Sequence, residues 1–253
     1  MKLALYQGPS PAGDVAAAFG AIELGLAAAA AFGARMLVFP EVFLPGYNHC
    51  GVAGLAQAQD GGWHNALVAA VRRAGCGITV GYAEASGGRV YNSALVLDAK
   101  GDQLAHYRKV QLFGPREQAI FTSGDRLCQF EFEGRQVGVL ICYDIEFAPH
   151  IRTLAERGVT LILTPTANML PYTHVAEQTV PSQAVNHAVA IVYANYCGTE
   201  GDLDYCGGSV IVGRDGAVLA RAGAGEAVLL VELDVPLRPG DLSSQIADYR
   251  KVE

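Results

Sequence analysis

Three residues of this 253-residue chain carry side chains that could together attack and break a polar bond at a carbonyl: Glu41 in "LVFPE", Lys109 in "HYRKVQLFG" and Cys142 in "LICYDIEF". A thiol with an ordinary pKa near 8.5 is mostly protonated at neutral pH, so it needs a base before it can act as a nucleophile. A carboxyl whose pKa is raised by burial can be that base. A fixed cation can stabilise the charge that develops on the attacked oxygen. Glutamate, lysine and cysteine therefore form a sufficient set, and no histidine is required. Taken singly, each has a plainer reading: a solvated loop acid, a surface lysine and an inert core thiol.

The elements around them are positioned to bring the three together. "RMLVFP" (35–40) predicts a buried strand closed by Pro40, which places Glu41 at a sheet rim, where α/β proteins hold their sites. Cys142 ends a second apolar run, within 121–142, that contains a turn at Glu133–Gly134. Asp14 offers an N-cap to an alanine-rich helix over 15–32, and 62–74 reads as another helix. Further strands are expected at 2–7, 78–84, 90–98, 159–165, 189–197, 208–213 and 227–233, and helices at 148–157 and 173–188. Continuous apolar strands call for sheets covered on both faces, whereas hairpins call for antiparallel additions. The two together predict a layered α/β fold with a mixed sheet or two stacked sheets. No linker or charge block divides the chain, so residues 1–253 read as a single domain.

Composition narrows the partners. The chain is 51% hydrophobic and 17% charged, with a net charge of −7. This supports a large core and argues against nucleic acid or an anionic membrane as partner, since both require a basic face. The six cysteines form no CxxC pair and no zinc-ligand spacing. They read as free thiols in a reducing cytoplasm, although Cys197 and Cys206 could cross-link under oxidation. "MKLALYQGPSPAG" is too short in apolar residues for a signal peptide, and no run reaches the roughly 20 residues of a membrane span. A soluble, cytoplasmic protein is expected. His49–Cys50 reads as an ordinary loop pair. With no HExxH, no phosphate-binding loop and no papain-like cysteine motif, neither a metal nor any other cofactor is expected.

"FPE" at 39–41, "YRKVQLFG" at 107–114 and "CYDIEF" at 142–147 resemble, in that order, the three signatures of the nitrilase (carbon–nitrogen hydrolase) superfamily. The resemblance runs from "LALYQG" to "DYR". It implies a four-layer α-β-β-α sandwich with two mixed sheets, paired as a homodimer or a higher homo-oligomer. It also implies roles: Glu41 as general base and later acid, Lys109 and the backbone N–H of Tyr143 as stabilisers of the tetrahedral intermediate, and Cys142 as the nucleophile that forms a thioester. Glu117, in "REQAIF", matches a second family glutamate that orients substrate and lysine.

More narrowly, "FLPGYN", "TPTANMLPY" and "VYANYCGTEGDLDYCGGS" are similar to the bacterial 5-aminopentanamidases of lysine degradation and to stereoselective amidases of the same branch. That similarity implies a small primary amide carrying a terminal amine as substrate. Other carbon–nitrogen hydrolase activities (aliphatic or stereoselective amidase, N-carbamoyl hydrolase, nitrilase) and a catalytically silent binding protein on the same fold are the alternatives. An ammonium group needs an acidic or aromatic partner. Glu200, Asp202 and Asp204, beside Tyr205 in an expected loop, are candidates for it, and Tyr47, Asn48 and Asn168 are expected to line the pocket. Two stretches depart from the family pattern. Ala148–Pro149 replaces the usual Pro-Glu, and Gln183, Asn186 and His187 stand where the family reads Arg-Ala-x-Glu-Asn.

Overall fold

Most strands are apolar on both sides, and the chain buries both sides by stacking two sheets and covering each with helices. A computed structural model describes residues 1–233, 238 and 240–250. The strands are β1 (Lys2–Gln7), β2 (Met36–Val38), β3 (Gly77–Ser86), β4 (Arg89–Leu97), β5 (Gln103–Arg108), β6 (Cys128–Phe132), β7 (Arg135–Val139), β8 (Val159–Pro165), β9 (Ala190–Ala194), β10 (Cys197–Glu200), β11 (Leu203–Cys206), β12 (Val210–Val212), β13 (Val218–Arg221) and β14 (Ala227–Glu232). One six-stranded sheet runs β14-β1-β2-β3-β4-β5 and a second runs β13-β12-β9-β8-β7-β6. Both are mixed. β1–β2–β3 and β7–β8–β9 are parallel, and the outer pairings are antiparallel.

Strand alternation sorts the side chains into layers. Leu3, Leu5, Met36, Val38, Ala94 and Val96 face the second sheet and share a core with Val137, Val139, Leu161 and Leu163. Their neighbours Ala4, Leu37 and Leu95 face the other way, onto Ile22 and Leu26 of helix Val15–Ala31 and Leu67 and Val71 of helix Gly62–Ala74. Helices Ala148–Glu156 and Val180–His187 cover the second sheet. The result is the expected α-β-β-α sandwich.

Three local expectations change. The helix anticipated over 173–188 begins as a π-type turn, Val175–Thr179, and continues as α-helix Val180–His187. The stretch anticipated as an acidic loop is a two-stranded ribbon, β10–β11, in which Cys197 stands opposite Cys206. Both cysteines are free thiols. Strand β5 and the short helix Gly114–Ile120 carried too weak a pattern to be expected: β5 alternates buried Ala105 and Tyr107 with half-buried Leu104, His106 and Arg108, and it sits at a sheet edge.

The parallel strands end at one rim, where the backbone N–H of Glu41 donates to Thr166 O at 3.2 Å and ties the loop after β2 to the loop after β8. Gly81 of β3 lies against this loop. Its N–H donates to Pro40 O at 3.2 Å, and a side-chain carbon there would lie 2.6 Å from Pro40 O and 2.7 Å from Glu41 Cα. Gly20, on the exposed face of the first helix, has open space around it. Gly81→Ala should therefore destabilise the protein by about 1–3 kcal/mol through overpacking. Gly20→Ala should stabilise it by about 0.5–1 kcal/mol through helix propensity. Chemical denaturation of both variants checks this pair of opposite signs.

Candidate active site

Glu41 follows β2 through Phe39 and Pro40, Lys109 follows β5 directly, and Cys142 follows β7 at the head of a short 3₁₀ turn, Cys142–Glu146. Cys142 has φ of 46° and Val42, beside Glu41, has φ of 47°. Side chains larger than glycine seldom occupy this left-handed region, and such strain gathers where a fold must aim a group.

The carboxylates meet at one ammonium. Lys109 Nζ donates to Glu41 Oε1 at 2.6 Å and to Glu117 Oε1 at 2.7 Å, and all three side chains are buried. Asn92 Nδ2 also donates to Glu41 Oε1, at 2.6 Å. Glu117 is held further by Tyr47 OH at 2.6 Å and by the Phe113 N–H at 2.9 Å. Glu41 Oε2 is left buried with no hydrogen-bond partner among the described residues. An unpaired buried oxygen costs about 1–3 kcal/mol, and Asn92 Oδ1, Thr164 Oγ1, Thr166 Oγ1 and Glu200 Oε1 are likewise without a partner among the described residues.

The electrostatics follow from this geometry. Burial pushes the Glu41 carboxyl up to about 7, against the pull of Lys109 and the Asn92 hydrogen bond, while the charge of Glu117 adds to the rise. Burial works against the Lys109 charge, but Glu117 and Glu41 outweigh it and hold the ammonium well above its ordinary value. The Cys142 thiol is pushed well up by burial and by the Glu41 charge, and Lys109 draws it back. A thiol in this setting stays protonated until something removes its proton, and Glu41, whose charge acts on the thiol, has one oxygen without a partner among the described residues.

Asp144 locks the arrangement. Its carboxylate accepts from Ile141 N–H at 3.0 Å, Gln111 N–H at 2.7 Å and Tyr107 OH at 2.8 Å, which staples the segment carrying Lys109 to the turn carrying Cys142. Burial raises its pKa. Sequence reasoning missed both Asp144 and Asn92 as site residues. The available signal was a polar side chain inside an apolar run, "ICYDI" for one and "VYNSALVL" for the other.

Cys142 opens on a cavity of about 220 Å³ walled by Tyr47, Phe113, Tyr143, Ala167, Asn168, Met169 and Tyr172, with Glu146 and His174 completing the lining. Tyr47 and Asn168 thus stand where the sequence placed them. Asn48, Glu200, Asp202 and Asp204 do not. Glu200 is buried and accepts from Asn48 N–H at 2.8 Å and Tyr205 OH at 2.6 Å, and Asp202 accepts from Asn48 Nδ2 at 2.8 Å. Asp204 is exposed on β11. The reason is the ribbon: pairing β10 with β11 turns these acids toward Asn48 and solvent, away from the thiol. A larger groove of about 780 Å³, lined by Arg89, Tyr91, Arg108 and Arg126 among others, includes none of Glu41, Lys109 and Cys142. Among the described residues no group of His, Cys, Asp and Glu could hold a metal, and no helix is long and apolar enough to cross a membrane.

Residues 2–238 match the model of the carbon–nitrogen hydrolase family. The chain belongs to that family. It is 44% identical over 239 residues to the Pseudomonas protegens protein called "Hydrolase in pqqF 5′ region", covering 92% of this chain and 83% of that one. It is 36% identical over 239 residues to an (R)-stereoselective amidase of a Pseudomonas species, covering 93% and 85%. A solved amidase of Nesterenkonia sp. AN1 shares its fold with a TM-score of 0.88 at 32% identity, over 99% of this chain and 96% of that one. One structure of that amidase records Michael addition of acrylamide at its active-site cysteine. This carbon–nitrogen hydrolase accommodates its departures from the family pattern locally. Pro149 lies in the first turn of a helix, where a missing N–H costs little. Gln183 is buried, His187 Nδ1 lies 3.0 Å from Gln183 O, and Asn186 accepts from Gln245 Nε2 at 3.3 Å, so no lone charge is left inside.

If Glu41 takes the Cys142 proton, alkylation of Cys142 by iodoacetamide should accelerate as pH rises through about 7, where Glu41 ionises. Asn92→Ala removes a hydrogen bond that favours the charged carboxylate and should move this limb to higher pH. Glu41→Gln should abolish it. Peptide mass mapping across pH checks all three, and a limb unchanged by Glu41→Gln would contradict the assignment.

Proposed function

We propose that this carbon–nitrogen hydrolase is a cysteine amidase that hydrolyses a small primary amide, in particular an ω-amino amide such as 5-aminopentanamide, to its carboxylate and ammonia. The observation that carries the reading is the divided carboxylate of Glu41: Oε1 is saturated by Lys109 and Asn92, and buried Oε2 is open.

In this reading Glu41 Oε2 accepts the Cys142 proton as sulfur attacks the amide carbon. The carbonyl π electrons move to oxygen, where the Lys109 ammonium and the Tyr143 N–H stabilise the charge. Collapse of the tetrahedral intermediate breaks the C–N bond, and Glu41 returns the proton to the departing nitrogen. Ammonia leaves and a thioester to Cys142 remains. Glu41 then takes a proton from water, whose oxygen adds to the thioester carbon, and thiolate departure with reprotonation releases the carboxylic acid and restores the thiol. Glu117 holds Lys109 in place and Tyr47 holds Glu117.

The substrate class is supported by size and lining. A cavity of about 220 Å³ is below the roughly 300–1,000 Å³ of drug-sized sites and suits a short chain. Its aromatic walls suit methylenes or an ammonium. The names of the (R)-stereoselective amidase and the Nesterenkonia amidase also support an amide substrate.

The test is ammonia release from 5-aminopentanamide, butanamide, a matched nitrile and an N-carbamoyl amino acid. The amino-amide is expected to be turned over fastest, and Cys142→Ala to lower turnover by at least about 10³-fold with the fold unchanged by circular dichroism. Turnover of the nitrile or the carbamoyl compound alone would replace the amidase reading. Activity retained by Cys142→Ala would remove the nucleophile.

A further inference from the structure

One residue lining the cavity at Cys142 carries a carboxylate: Glu146. It ends the same 3₁₀ turn that Cys142 begins. At about 2.0 Å of rise per residue, the turn separates their Cα atoms by roughly 8 Å. Glu146 is exposed and also lines the cavity, which puts it at the mouth. Among the described residues no group donates a hydrogen bond to its carboxylate. Burial nonetheless raises its pKa, while His174, across the cavity lining, and Lys109 pull it down.

The lining therefore holds the Cys142 thiol at the head of the turn and the Glu146 carboxylate at its end, at the mouth. Aromatic rings line the path between them. Phe113 meets Tyr143 and Tyr172 edge-to-face, at centroid distances of 5.2 and 5.6 Å, and Tyr143 meets Phe147 at 4.9 Å, so these walls support one another. An amide carrying an ammonium at its far end has one productive direction in this cavity. With its carbonyl inward, its charge meets Glu146. Reversed, its amide carbon would lie away from the Cys142 thiol.

We propose that Glu146 is the specificity-determining residue that receives the distal ammonium of the substrate, and that it discriminates against amides whose far end is a carboxylate. The proposal rests on the amidase reading above and adds its substrate determinant. It assigns the role to Glu146 rather than to the ribbon acids, two of which are already engaged by Asn48. Like charges facing each other at a binding site exclude the wrong partner as effectively as opposite charges select the right one.

The experiment compares kcat/KM for 5-aminopentanamide, for hexanamide (a methyl in place of the ammonium) and for glutaramate, in the wild type, Glu146→Gln and Asp204→Asn. Glu146→Gln is expected to lower the preference for 5-aminopentanamide over hexanamide about tenfold, mainly through KM, the size being limited by exposure at the mouth. It should also raise relative turnover of glutaramate. Asp204→Asn should leave both preferences as in the wild type. A preference unchanged by Glu146→Gln, or one lost in Asp204→Asn, overturns the proposal. Calorimetric binding of 5-aminopentanamide and hexanamide to Cys142→Ala, with and without Glu146→Gln, tests the same contact independently of turnover. Selective weakening of the amino-amide supports Glu146 even if the chemistry proves different, and equal Kd values in both backgrounds sink the proposal whatever the amidase assay reads.

Discussion

Lys109 sits between two buried carboxylates, and the rest of the site depends on that arrangement. Burying an ammonium with Glu41 and Glu117 is expensive unless every charge is hydrogen-bonded. The fold meets that demand with five hydrogen bonds: Asn92 on Glu41, Tyr47 and the Phe113 N–H on Glu117, and both acids on Lys109. Two negative charges against one positive charge also leave an excess that burial cannot tolerate, which is why one carboxyl, that of Glu41, titrates near neutrality. The proposed mechanism uses that carboxyl, ionised above about pH 7, as the acceptor of the thiol proton.

Keeping this cluster rigid falls to backbone that is itself constrained. Glu41, Lys109 and Cys142 come from three strand ends in two sheets. Asp144 joins two of those ends through its carboxylate, and the Glu41 N–H joins the third to the loop after β8. Tyr196 OH donates to Glu41 O at 2.8 Å and adds a further tie from the end of β9. None of these contacts touches the cavity directly. They hold the backbone from which Glu41, Lys109 and Cys142 project, and a shift of an ångström in any of them would change the relative placement of these three groups.

A second buried ion network lies one residue from Lys109. Glu84 accepts from Arg108, from Ser93 OH at 2.6 Å and pairs with His106 at 3.0 Å, so its pKa falls to about 2 although burial alone would raise it. Successive residues of one strand end thus point to opposite faces: Arg108 to a pair at the groove, Lys109 to the cluster at the thiol. The 3₁₀ turn then sets the outer limit of the cavity, because its first residue is the thiol and its last is the acid at the mouth.

Much of this was legible in the sequence. Glu41, Lys109 and Cys142 could be read from residue type at the ends of apolar runs, and the layered fold from apolar strands mixed with hairpins, because chemistry and periodicity are local properties of a chain. Tyr47 and Asn168 were legible through resemblance. Asp144 and Asn92 were not, because a polar residue in an apolar run reveals that it has a partner without saying which. The acids of the ribbon misled for the same kind of reason: Glu200, Asp202 and Asp204 are close in sequence to cavity-forming strands, but the β10–β11 pairing turned them toward Asn48 and solvent. Glu146 was in view from the start, in "CYDIEF", yet only the packing of Phe113, Tyr143, Tyr172 and His174 around the thiol made it the acid of the cavity. Sequence by itself determined which groups could react and which strands would carry them. Which acid lines the cavity, and which oxygen of Glu41 is left free, was decided only by tertiary structure, since both depend on contacts between segments that lie far apart along the chain.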